Sequence, residues 1–141
     1  MSQFIGTSMP AAFAGDITRG AFDSTVETHK NAGVEGFGVP VKLTTEGVAA
    51  TTAAADAVYG FSVRGYGQVN SFGVQESNQV CVLRRGYIAV KAEGAPAVGG
   101  KVYLSAEGKV TAESSGGTAI PNAMFSRAAD VEGVCEVAYN I

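Results

Sequence analysis

The chain has 141 residues, 46% hydrophobic and 16% charged, with a net charge of −3, a single His and two Cys. That length holds one core and the apolar fraction can fill it, so a two-core or globally disordered chain is excluded. One His and two Cys supply neither a Cys₄ nor a Cys₂His₂ zinc set nor a disulfide framework, the acidic balance argues against general nucleic-acid binding, and no apolar run reaches membrane-span length.

Residues 1–37 are rich in Gly, Ala, Ser and Thr, with Phe4, Phe13, Phe22 and Phe37 set far apart. No helical or alternating period holds there for long. Such a stretch is either a frayed terminus or an extended N-terminal arm ordered against a neighbour, and its isolated large apolar residues favour the second, since a solvated tail rarely carries so many. Ala12-Phe13-Ala14 has the small-x-small form of a cleavage site. However, no Lys or Arg precedes it, and Gly6, Thr7, Ser8 and Pro10 interrupt any apolar run, so we expect no processing there.

From residue 38 onward the pattern is strand and turn, which makes 38–141 the expected core domain. Residues 38–43 read as a strand with Val39, Val41 and Leu43 on one face, and 44–47 as a turn. The Ala/Thr-rich stretch 49–57 fits a single helical turn or a loop. Residues 58–66 alternate as a strand, and the polar stretch 68–79 connects onward. Residues 80–92 carry the longest strand signal, in which Gly86 predicts a bulge or bend. Short strands follow at 100–104 and 109–112 around a turn at 106–108, then an extended stretch at 119–126. The last strand, 134–141, places Cys135, Val137, Tyr139 and Ile141 on one face and Glu136 and Asn140 on the other. Six or seven such strands predict an all-β protein, a single small barrel or sandwich.

Chemical motifs are sparse. Gly33-x-x-Gly36-x-Gly38 has the wrong order for a dinucleotide fingerprint, and no helix follows to receive a phosphate. His29 lies in the irregular arm and reads as a surface or interface residue. Cys81 and Cys135 fall on strands and read as small buried hydrophobes. The carboxylates are scattered, and no catalytic, cofactor or metal set is expected. Arg84 and Arg85 are the most informative charges. Adjacent strand residues point to opposite faces, so at least one arginine risks facing inward or an interface, where a guanidinium can pair with a carboxylate; plain surface charge is the other reading.

Several segments in order carry a resemblance. They are Ala14-Gly15-Asp16, Gly38-Val39-Pro40-Val41, Val58-Tyr59-Gly60-Phe61 and the run from Val82-Leu83-Arg84-Arg85-Gly86 through Tyr87-Ile88-Ala89-Val90. Gly99-Gly100-Lys101-Val102-Tyr103 and Glu107-Gly108-Lys109-Val110 complete the set. With them the chain resembles the small structural cement, or capsid decoration, proteins of tailed-bacteriophage heads.

The resemblance implies a non-enzymatic virion protein with a small barrel or jelly-roll-like (β-tulip) sandwich, made in the host bacterial cytoplasm and needing no cofactor. It implies binding to the outer surface of the expanded capsid as a homodimer or homotrimer, with the major capsid protein as partner and neither nucleic acid nor membrane. Phe4, Ile5, Phe13, Phe22, Arg84 and Arg85 are then the expected capsid or subunit contacts. The alternative is a carbohydrate-binding or tail-associated β-sandwich, in which Tyr59, Tyr66, Tyr87, Tyr103 and Tyr139 would stack on sugars.

Overall fold

A computed structural model describes residues 14–18, 24–64, 79–130 and 133–141. The expected anchors Phe4, Ile5, Phe13 and Phe22 lie outside the described residues, as do Tyr66 and nearly all of the polar connection. In chain order the strands are β1 (Thr25–Lys30), β2 (Pro40–Thr44), β3 (Gly47–Ala50), β4 (Gly60–Ser62), β5 (Gln79–Lys91), β6 (Lys101–Leu104), β7 (Val110–Thr111), β8 (Thr118–Arg127) and β9 (Val134–Tyr139). Among the described residues there is no helix. The protein is all-β, as its alternating pattern predicts.

The strands form one curled antiparallel sheet, ordered β3-β2-β4-β5-β9-β8-β6-β7, with β1 also paired to β5. Strand β5 is thirteen residues long and serves both halves. Its first half pairs with β1, from Val26 opposite Leu83 to Lys30 opposite Gln79, and with β4, where Phe61 faces Leu83. Its second half pairs with β9, from Gly86 opposite Tyr139 to Lys91 opposite Val134.

The change of partners falls at Gly86, whose φ of 140° disfavours any residue with a Cβ. The side chains record the same slip. Val80 and Val82 enter a small cluster with Val34, Val41 and Val48. Leu83 enters the larger cluster, and so do Ile88 and Val90, which strict alternation from Leu83 would send to the opposite face. The register of β1 along β5 jumps from Leu83 to Arg85 between Val26 and Thr25, so a one-residue slip at Arg84, just before the bend expected at Gly86, lets a single strand line two apolar clusters.

Each half curls back toward its own beginning. Asn31, just past β1, bridges in parallel to Val48 of β3, and Ala32 N–H donates to Val48 O at 2.8 Å. Glu93, just past β5, bridges in parallel to Thr111 of β7. Glu93 N–H donates to Val110 O at 3.1 Å, and Ala112 N–H donates to Glu93 O at 3.0 Å. The outer strands of both halves thus find backbone partners that an open sheet would leave unmet.

The structure departs from the sequence expectation at several places. Residues 25–30, inside the stretch read as arm, form β1, and Val34 and Phe37 are buried. No residue of β1 is fully buried, so the strand is held by backbone pairing and carries no apolar alternation. The helical-turn option for 49–57 fails at its start, because 47–50 returns along β2 as a hairpin strand. Only Gly60–Ser62 of the expected strand 58–66 pairs as one. Leu43 lies near the exposed end of its hairpin and is 54% accessible. Glu136, expected on the solvent side, is 1% accessible, because β9 lies between β5 and β8 and is covered on both faces. Its Oε1 accepts a hydrogen bond from Ser126 Oγ at 2.7 Å, and Arg127 Nη2 lies 4.0 Å from Oε2.

At Gly60 a Cβ would stand 2.4 Å from Leu83 O and 2.6 Å from Val82 Cγ1, so β4 can approach β5 only as glycine. Gly60→Ala should destabilise the fold by about 1–3 kcal/mol through this overpacking. Val98→Ser, at a position 71% exposed, should change stability by less than about 0.5 kcal/mol. Urea unfolding followed by circular dichroism measures both.

Candidate functional site

The two arginines of β5 have different surroundings. Arg85 is exposed and sits opposite Thr25 of β1. Arg84 is half-buried, and its guanidinium carbon lies 3.9 Å from the centroid of the Tyr59 ring. Its Nη1 also donates to the Tyr59 carbonyl, and its Nε lies 3.9 Å from Glu27 Oε2. The two arginines thus differ in exposure, and the half-buried Arg84 stacks on an aromatic ring within its own chain.

Around Arg84 the sheet assembles a polar cluster from three elements. Strand β1 contributes Glu27 and His29 on one face, since they are two apart. The residue before β4 contributes Tyr59, and β5 contributes Arg84. Tyr59 Oη donates to Glu27 Oε1 at 2.5 Å, and His29 Nε2 lies 2.8 Å from the same oxygen. The His29 and Tyr59 rings meet edge to face, with centroids 5.4 Å apart. Tyr59 also packs against the small valine cluster, so this polar group lies over its margin.

The hydrogen bond from Tyr59, then that from His29, holds the Glu27 carboxyl below its ordinary value of 4.5, with the Arg84 charge adding to the effect and partial burial opposing it. The Tyr59 phenol is raised above 10.0, first by its hydrogen bond to Glu27 and then by burial.

Chemically this is a saturated ion and hydrogen-bond network. The Tyr59 hydroxyl is directed at the carboxylate, so Glu27 and His29 are not arranged as a base facing a nucleophile. Cys135 is buried, and burial pushes its thiol up to about 12, far from a reactive thiolate. Cys81 is half-buried opposite Thr28 and is not in a disulfide. Among the described residues no group of three or more His, Cys, Asp or Glu could hold a metal ion. No helix among them is long and apolar enough to cross a membrane.

The described tyrosines do not line up as a row of open rings. Tyr139 is buried edge to face against Phe61, with centroids 5.2 Å apart, Tyr59 lies beneath Arg84, and Tyr87 and Tyr103 are half-buried.

The sequence analysis singled out Arg84 but missed Glu27 and Tyr59 as its partners. The available signal was the β-branched run Thr25-Val26 and Thr28, which favours a strand and would have set Glu27 and His29 on one face.

Two comparisons span the whole chain. Residues 1–140 match the family model described as "Structural cement protein (E217 gp24/Pam3 gp6)". A chain from the solved structure "The capsid of Myoviridae Phage XM1" superposes with a TM-score of 0.79 at 20% identity, over 99% of this chain and 97% of that one. At that identity the likeness is one of fold. No curated protein matches the chain in sequence.

Because Glu27 is depressed in the folded state, its contribution to stability is complete above about pH 4.5 and is lost as pH falls through its lowered value. The thermal midpoint should hold steady from pH 7 to about 5 and then fall. In Glu27→Gln the fall should be shallower and the midpoint at pH 7 lower. Thermal melts of both proteins in parallel buffers measure the difference.

Proposed function

Because this chain belongs to the family of structural cement proteins, we propose that it binds the outer surface of the expanded phage capsid and joins neighbouring major capsid proteins. Its role is structural and its place is the virion. The observation that carries the reading is the family match across residues 1–140.

The fold suits the role. The described sheet directs its polar groups at one another, as the Glu27, Tyr59 and Arg84 network does. Contacts between such a body and a shell are individually weak. Repeated at many equivalent places they add up through effective concentration, most strongly when the protein is itself a homodimer or homotrimer.

Within this reading Phe4 and Ile5 are the anchors that reach a neighbouring subunit, and the exposed Arg85 is the arginine available for a charged contact. Arg84 acts indirectly by holding Tyr59.

Co-sedimentation with expanded shells lacking the protein tests the proposal. Saturation at a fixed number of copies per shell, matching one class of symmetry axis, is the expected result. Absence of saturable binding would remove the reading. Replacing both Phe4 and Ile5 by Ala should weaken shell binding by roughly tenfold or more, since each buried side chain contributes about 1.5–3 kcal/mol before ordering costs. The thermal midpoint should stay unchanged.

A further inference from the structure

Strand β5 changes partners across one residue. The ladder with β1 passes from Leu83 to Arg85, the ladder with β4 takes Val82 and Leu83, and the ladder with β9 starts at Gly86. Arg84 has no opposite residue in any of these ladders, so its carbonyl needs a bond from elsewhere.

That bond comes from a side chain at the end of β9. Asn140 Nδ2 donates to Arg84 O at 2.6 Å. Asn140 has a φ of 56°, in the left-handed region, and its own N–H donates to Asn122 O at 2.8 Å. Few residues meet both demands. Asn tolerates the left-handed backbone and carries an amide donor, Gly has the backbone freedom without a donor, and an ionised Asp offers only acceptors.

The neighbouring residue reaches the same region. Tyr139 Oη donates to Val58 O at a long 3.5 Å, and Arg84 Nη1 donates to the carbonyl of Tyr59. Val58 packs against the larger apolar cluster and Tyr59 against the smaller one. Three bonds from side chain to backbone therefore join the end of β9, the extra residue of β5 and the entry to β4, at the place where the two clusters adjoin.

We propose that Asn140 is a positioning residue for the joint between the two halves: its amide fixes the slip in β5 and so locks the half built on β1 to β4 to the half built on β6 to β9. Local opening of the first half is the motion it holds back. Arg84 is the relay, since the carbonyl held by Asn140 sets the backbone from which its guanidinium reaches Tyr59 and Glu27. The inference rests on these bonds and not on capsid binding, so either can fail without the other.

Hydrogen exchange of the full-length protein, read by mass spectrometry of its peptides, tests it. Asn140→Gly keeps the left-handed backbone and loses only the amide. Exchange should then rise roughly five- to tenfold in β1, β4 and the first half of β5, the size expected when one carbonyl loses its donor. Strands β6 and β8 should stay unchanged. Asn140→Asp should give the same pattern. Asn122→Gly, at the other left-handed asparagine (φ 59°), should leave every peptide unchanged. A uniform rise across both halves would overturn the proposal, and so would no rise in Asn140→Gly or in Asn140→Asp. An equal rise in Asn122→Gly would assign the effect to backbone freedom and overturn it too. Loss of the strand spectrum in Asn140→Gly would do the same, because the amide would then support the entire sheet and not the joint.

Discussion

The fold depends on one strand that pairs on both sides and changes partners midway. Strand β5 has β1 and β4 beside its first half, then residues 14–18 and β9 beside its second. The slip at Arg84, beside Gly86, keeps apolar side chains on the buried side in both halves. Without it, Ile88 and Val90 would turn away from Leu83, Phe125 and Val137, and the larger cluster would lose its central strand. A glycine with φ near 140° thus does structural work that no side chain could replace.

Closure follows from that arrangement. An open antiparallel sheet leaves its outer strands unpaired along one side, and unpaired edges invite association with other chains. Here the ends that continue from β1 and β5 meet β3 and β7 through the bridges at Asn31 and Glu93. The polar network of Glu27, Tyr59 and Arg84 stands over the margin of the small cluster and ties β1, the entry to β4, and β5 together by side chains. Valines fill that cluster, so its apolar burial is modest, and directional contacts at its margin matter correspondingly more.

The legible parts of the sequence were the strands that carry the larger apolar cluster. Strands β5, β6, β8 and β9 came within a few residues of their expected places because Val, Ile, Leu and Phe recur there with strand spacing. Strand β1 was illegible for the opposite reason: Thr25 to Lys30 bury nothing completely, and their place is dictated by the edge of β5. Glu136 misled because alternation reports polarity, whereas burial on a central strand is set by what covers both faces. Of the polar cluster only Arg84 was visible, since a pair of adjacent arginines is a local signal. Its partners lie 57 and 25 positions away, and only the folded sheet brings Glu27 and Tyr59 to it.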